Sequence, residues 1–347
     1  MKNRRPLLVS MLLALWLAMG LSGRGRAGTE AVTVVFGGDV ALCGEVARQI
    51  ERYGDGYVFG EIRELLSQAD IAVVNLETPL TNSERRVPKP TPPGLKEPVY
   101  LKAKPSAGKA LVAGAIDVAL LANNHIGDYK GGVVDTIQNL RGLGIRLVGA
   151  GVNRRAAYSP LVVEVRQTKI AFLAFCDVYP TSYEAGASRP GCAWAHPDEM
   201  RSAIADAKRQ ADLVFVNLHF GGQDRATPSQ RQRQLVKTAL DAGADMVVGN
   251  HPHVIQPVAV DSGRPVLYSL GNLVFPMPKY SWSIGLLARA TIVGKKIRRV
   301  DLIPVQIVDL SQPHRIHGHY VLEHLFKISK EFGDLPSIIE GYIEPLK

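Results

Sequence analysis

Cysteine is scarce in this chain. Three residues, Cys43, Cys176 and Cys192, stand among 347, an odd number with none at C-x-x-C spacing, which excludes a disulfide scaffold and a thiolate metal site of that pattern. One bridge, such as Cys176 with Cys192, would leave Cys43 free; sequence does not pair them, and all three also read as small buried residues. Aromatic residues reach only 7% against 46% hydrophobic overall, with 33 Gly and 22 Pro, which excludes global disorder and describes a globular chain with a large core and many loops. A dinucleotide fingerprint is missing, since Gly149-Ala150-Gly151 is a lone Gly-x-Gly without the full six-residue pattern. No internal repeat and no composition break marks a second domain.

A dominant charge of one sign is lacking too, once the amino terminus is set aside. Lys2, Arg4 and Arg5 precede an apolar run from Leu7 to Leu21 and then small residues, the pattern of a secretory signal cleaved between Ser22 and Gly28 or of an uncleaved N-terminal membrane anchor. The run is shorter than the roughly 20 apolar residues of a comfortable span. Arg4-Arg5 hints at twin-arginine export, and no Cys follows the run for lipid attachment. The expectation is therefore an exported, extracytoplasmic protein, periplasmic or at the cell surface, with residues 1–28 as leader and 29–347 as one domain. The whole chain carries 41 Lys and Arg against 32 Asp and Glu; removing the leader's five basic residues leaves 36 against 32, or +4. That balance gives no argument for nucleic acid and suits an anionic small molecule or polymer.

What the chain does contain is a series of apolar runs, each closed by polar residues of metal-ligand type. The clearest is Asp245 to Gln256, where Met246-Val247-Val248 reads as a buried strand followed by His251 and His253. Residues two apart in extended backbone share a face, and Pro252 stops a helix, so two imidazoles project together where ligands sit in open α/β sheets. The alternative is a pair of partly buried loop histidines. Ala31 to Phe36 ends in Gly37-Gly38-Asp39, where Asp39 is a ligand, an Asx turn or a helix cap. Ile71 to Val74 ends in Asn75-Leu76-Glu77, with Asn75 and Glu77 on one face. Ala115 to Ala122 ends in Asn123-Asn124-His125, with Asp128 close behind, and Asp212 to Leu218 ends at His219. Carboxylates and imidazoles together suit Zn, Mn or Fe. One Glu between two such ions leaves room for a shared hydroxide, as in two-metal hydrolysis.

The remaining runs predict the frame. Phe59 to Ala69 puts Phe59, Ile62, Leu65 and Leu66 on one helical face. Val133 to Leu143 is an amphipathic helix closed by Gly144, a second helix runs from Asp198 as N-cap to Gln210, and a capping box at Ser229–Gln232 opens a third, ended by Gly243. Hairpins are expected at Leu161–Val165 with Ile170–Phe175, and at Val258–Val260 with Val266–Leu270, the latter ending at Gly271-Asn272. Two β-rich runs, Leu286–Val293 and Val300–Val305, and a helix near Val321–Phe332 follow. Pro79 to Pro105 is a Pro-rich loop carrying Lys89, Lys96, Lys102 and Lys104, which either meets an anionic substrate or is solvated surface.

The order and spacing of Gly37-Gly38-Asp39, Asn75-Leu76-Glu77-Thr78-Pro79, Leu121-Ala122-Asn123-Asn124-His125-Ile126-Gly127-Asp128-Tyr129, His219-Phe220-Gly221, His251-Pro252-His253-Val254 and Ser269-Leu270-Gly271-Asn272 resemble the CapA family of poly-γ-glutamate capsule synthesis proteins, which share the calcineurin-like metallophosphoesterase fold. The resemblance covers Val32 to Val305. It implies an α/β fold of the α-β-β-α sandwich type, two packed mixed sheets flanked by helices, holding one or two divalent ions (Mn, Fe or Zn). By position, Asp39 and His253 are ligands of a first metal, Glu77 takes the bridging place, and Asn124, His219 and His251 are ligands of a second. His125 matches the residue that protonates the leaving group, with Asp128 beside it as a second catalytic residue. Asn75, Lys96 and Asn272 are assigned to substrate.

Two departures stand out. Phosphoesterases of this fold begin Asp-x-His, whereas Ala41 stands two after Asp39, and a Glu replaces the bridging Asp. The expected activity is metal-dependent hydrolysis of a phosphoester or a γ-glutamyl carbonyl by an exported capsule-related protein. A non-catalytic envelope protein that tethers a polyanionic polymer beside a membrane synthase is the alternative, and strand ends that merely stabilise loops are the third reading.

Overall fold

The β-branched run that opens the frame extends further than its sequence signal, from Val32 to Val40, so that Asp39 lies inside a strand rather than beyond one. The computed structural model describes residues 30–91, 96–277, 279–333 and 335–345. The expected leader lies outside the described residues, among which no helix is long and apolar enough to cross a membrane. Val32–Val40 pairs in parallel with Ile71–Leu76, which is followed by Val118–Leu120 and Arg146–Val148. On its other side the antiparallel strands Ile284–Val293, Lys296–Val308 and Gln312–Arg315 complete a large mixed sheet. A second mixed sheet runs in the order Val258–Asp261, Arg264–Leu267, Met246–Asn250, Leu213–His219, Thr168–Cys176, Leu161–Val165.

The two sheets meet through aromatic contacts whose origin is the period-2 pleat. Phe36 of the first sheet lies 6.2 Å from Phe172 and 5.7 Å from Phe215 of the second, ring centre to ring centre. Alternate residues of the same strands, Ala171, Leu173 and Phe175 with Val214, Val216 and Leu218, face outward onto the helices Pro197–Lys208 and Gln230–Asp241 through Met200, Ile204, Leu235 and Ala239. Helices Gly44–Tyr53, Arg63–Ser67, Lys109–Ala113 and Gly132–Gly142 contribute Val46, Leu66, Leu111 and Ile137 to the core of the first sheet. The architecture is the expected pair of mixed sheets flanked by helices.

Local differences have local causes. The run Phe59–Ala69 splits into a 3-10 turn, Gly60–Ile62, and the short helix Arg63–Ser67, while Phe59, Ile62 and Leu66 stay buried as predicted. The strand expected over Ala115–Ala122 shrinks to Val118–Leu120, and at its expected start Ala115 takes φ +58°, outside the extended region. Asp198 falls in the first helical turn and His196 takes the N-cap, since Pro197 at the first helical position presets the entry. The capping box at Ser229 and Gln232 forms as written in the sequence. The expected strand Val266–Leu270 ends at Leu267, and the chain crosses to the first sheet, where Asn272–Val274 pairs in parallel with Val32–Val40. This crossing is what sets Asn272 opposite Asp39.

The crossing requires glycine at Gly38, where a Cβ would fall 1.9 Å from the Gly271 carbonyl oxygen. Gly38→Ala is expected to cost about 1–3 kcal/mol through forced backbone displacement, whereas Gly56→Ala, with nothing within 4 Å of the added atom, leaves stability unchanged. Denaturant midpoints of the two variants check this.

Candidate metal centre

The carboxyl ends of parallel strands from both sheets converge, the position at which open α/β sheets bind ligands. Val32–Val40 delivers Asp39, Ile71–Leu76 delivers Asn75 and then Glu77, and the segment after Val118–Leu120 delivers Asn124, His125 and Asp128. From the second sheet Leu213–His219 ends on His219, and His251 and His253 follow Met246–Asn250. His251 and His253 do not alternate along an extended strand. They adopt φ +95° and +59°, left-handed backbone that non-glycine residues enter only under constraint, and this bend is what turns both rings toward Glu77 and Asp39.

Two three-residue groups result, Glu77 with His219 and His251, and Asp39 with Glu77 and His253, each with ligand atoms within 4.8 Å of one another. Glu77 belongs to both. Its carboxylate is fully buried and neither oxygen has a hydrogen-bond partner, while His251 Nδ1 is likewise buried without one. Glu77 Oε1 lies 3.8 Å from His219 Nε2 and 3.9 Å from both His253 Nε2 and His125 Nε2. A buried, unpaired carboxylate is expensive. A divalent ion between these groups would satisfy it, so the donor set fits a borderline metal such as Zn, Mn or Fe.

Neighbouring side chains hold the candidate ligands in place. Asn75, buried to 1%, donates through Nδ2 to Asp39 Oδ1 at 2.7 Å and lies 3.3 Å from His219 Nδ1, tying one sheet to the other. Asn272, fully buried, donates to the Trp282 carbonyl at 3.0 Å, which leaves its Oδ1 to accept from His253 Nδ1 at 2.9 Å. Both residues, expected at the substrate, sit behind candidate ligands, Asn75 against Asp39 and His219 and Asn272 against His253. His219 Nε2 lies 2.8 Å from Asn124 Oδ1. The His251 backbone N–H donates to Asp39 Oδ2 at 3.1 Å.

Ala41 stands where the family pattern has an imidazole. It is fully buried in an apolar cluster with Phe275, Trp282 and Ile307, and His253 stacks on Trp282 with ring centres 4.2 Å apart. Neither aromatic residue carried a signal of this role in the sequence. Lys96 is exposed. The cation that the loop brings to the centre is Lys89, whose side chain is 6% exposed and pairs with Asp128, while Lys102 and Lys104 pair with Glu84 and Glu51. Cys176 and Cys192 are free thiols in the buried interior, as is the half-buried Cys43.

Burial and the neighbouring Asp39 carboxylate push the Glu77 carboxyl up to about 8. Burial opposes charge on His253, yet Glu77 and Asp39 overcome it and raise that imidazole to about 9. Burial holds His219 and His251 well below the usual imidazole range, reinforced by neighbouring imidazoles, and it also lowers His125. The folded values of Glu77 and His253 lie above their ordinary 4.5 and 6.5. Their contribution to stability is therefore complete below those ordinary values and is lost as pH rises through the folded ones. The three depressed histidines act oppositely, contributing stability above their ordinary 6.5 that is lost at lower pH. Of these five groups, Glu77 and His253 dominate above about pH 6.5, and through them the metal-free protein should lose stability up to about pH 9. A bound ion replaces those protons, so the rise in melting temperature on adding Zn²⁺ should grow between about pH 6.5 and 9. Scanning calorimetry with and without metal checks this; a pH-independent shift contradicts it.

Comparison with known proteins adds the family. The model of the family described as bacterial capsule synthesis protein PGA_cap matches residues 33–277. The chain is 32% identical over 326 residues to the capsule biosynthesis protein CapA of Bacillus anthracis, covering 89% of this chain and 78% of that protein. It is 32% identical over 248 residues to the PGA biosynthesis protein CapA of Bacillus subtilis (strain 168), covering 71% of this chain and 64% of that one. Among solved structures, a hypothetical protein from Thermus thermophilus shares the fold, with a TM-score of 0.51, 12% identity, and coverage of 80% of this chain and 100% of that one. Since the matched span contains every residue of the centre from Asp39 to Asn272, the chain belongs to the bacterial capsule synthesis protein PGA_cap family.

Proposed function

We propose that this protein is an exported capsule-related hydrolase that cleaves a phosphoester, with a γ-glutamyl carbonyl as the variant substrate, using divalent metal held by Glu77, Asn124, His219 and His251 and, more weakly, by Asp39, Glu77 and His253. The observation that carries the reading is the buried Glu77 carboxylate with both oxygens unpartnered between the two groups of imidazoles. The Glu77–His219–His251 group is the better prepared of the two, because His251 Nδ1 is also free. In the other group Asp39 already accepts from Asn75 and the His251 backbone, and Ala41 supplies no imidazole.

A divalent ion in this centre would supply Lewis-acid polarisation of a phosphoryl oxygen and acidification of a water. The chain's own residues do the rest. Asn75 and Asn272 orient the ligands on which that ion depends. His125 is anchored through Nδ1 to Asp128 at 2.7 Å and presents Nε2 to the Glu77 side, where the ring, once protonated on both nitrogens, can pass the Nε2 proton to a leaving oxygen.

The polymer-tethering alternative drew on the loop lysines, and Lys89 is turned inward while Lys102 and Lys104 are paired. A partner synthase and a polyanionic ligand stay compatible with the names of the CapA relatives. The test is elemental analysis and a screen of phosphoester and γ-glutamyl substrates on the metal-reconstituted protein. Glu77→Ala and His251→Ala should lose metal, and His125→Ala should keep metal while rate falls by about 10²–10⁴. Hydrolysis of nothing in the screen, with full metal occupancy, would sink the catalytic reading.

A further inference from the structure

Lys89 belongs to a surface loop, yet its charge is removed from water. Its Nζ bonds Asp128 Oδ1 and sits over the rings of Tyr100 at 5.0 Å and Tyr183 at 5.9 Å. Burying an ammonium is costly unless a fully placed partner offsets it. Asp128 is that partner, itself fully buried, and each of its oxygens accepts twice. Oδ1 takes Lys89 and the Tyr183 hydroxyl at 3.0 Å; Oδ2 takes the Leu101 backbone N–H at 2.7 Å and His125 Nδ1 at 2.7 Å.

An ionised carboxylate only accepts, so the bond to Oδ2 keeps a proton on His125 Nδ1 and leaves Nε2, on the Glu77 side, as the nitrogen that takes up a second proton and passes it to a leaving oxygen. Lys89 Nζ lies 3.2 Å from Nδ1. Two protonated nitrogens do not hydrogen-bond to each other, so Lys89 acts on His125 through Asp128.

We propose that Lys89 is a positioning residue: its ammonium is inserted to hold Asp128 in place, and Asp128 in turn fixes the tautomer and direction of the His125 ring. The kinetic consequence rests on the hydrolytic reading above; the tautomer does not.

The test begins on the metal-free protein labelled with ¹⁵N-histidine, with long-range ¹H–¹⁵N correlation spectra and His125 assigned by loss of its signals in His125→Gln. The parent should show the Nδ1–H tautomer. Lys89→Met, which removes charge and donor, should give a tautomer mixture; Lys89→Gln, which keeps a donor, should give an intermediate population, and Lys89→Arg should return toward the parent. If Lys89→Met does not fold, Lys89→Gln carries the test. An unaltered Nδ1–H signature in either folded variant overturns the proposal.

The second arm compares phenyl phosphate with p-nitrophenyl phosphate, whose better leaving group needs less protonation. Lys89→Met should lose about tenfold more kcat/KM on the phenyl ester than on the p-nitrophenyl ester. An equal loss on both would mark a merely structural residue and overturn the positioning role. If the parent hydrolyses neither ester, hydrolysis of simple phosphomonoesters is ruled out, and the spectra still decide the role of Lys89.

Discussion

Glu77 is a carboxylate with no solvent and no hydrogen-bond donor, and the rest of the centre is arranged around that unmet charge. In water such a group is solvated; in a protein interior it must be neutralised by a proton, a cationic side chain or a metal. Three imidazole nitrogens lie 3.8–3.9 Å away, beyond hydrogen-bond reach. The two sheets divide the work chemically. The first supplies Asp39, Glu77 and Asn124 and the second supplies His219, His251 and His253, so the centre exists only where the sheets meet.

That dependence explains the tight backbone contacts on either side. Gly38 lies so close to Gly271 that no side chain fits, and Gly249 approaches the Tyr268 carbonyl oxygen with the same 1.9 Å limit for an added Cβ. Asn75 then bridges Asp39 and His219 across the sheets. The aromatic wall of Phe275 and Trp282 packs on His253 and fills the region around Ala41 with apolar atoms. One half of the centre is consequently held by hydrogen bonds and stacking, and the other half has more atoms free for an ion.

The centre was legible in the sequence because buried strands need apolar residues, so a polar cluster at the end of each run stands out. Asp39, Glu77, Asn124, His125, His219, His251 and His253 all lie in or next to the convergent strand ends. The way two of them arrive was not legible. Alternation along an extended strand placed His251 and His253 on one face, whereas positive φ at both residues turns them inward, a tertiary effect that periodicity does not encode. The same limit applies to Asn272, whose strand leaves one sheet for the other after Leu267. Lys89 was visible only as one lysine among four in a loop; its burial against Asp128 and Tyr183 depends on segments about 40 and 95 residues away in sequence. The capping box at Ser229 succeeded for the opposite reason, being wholly local.

The most direct measurement is X-ray diffraction from crystals soaked in Mn²⁺, recorded where manganese scatters anomalously. An anomalous peak bounded by the side chains of Glu77, His219 and His251 is the result this account predicts. A Glu77 carboxyl hydrogen-bonded to a protein donor, with no anomalous peak beside it, would contradict it.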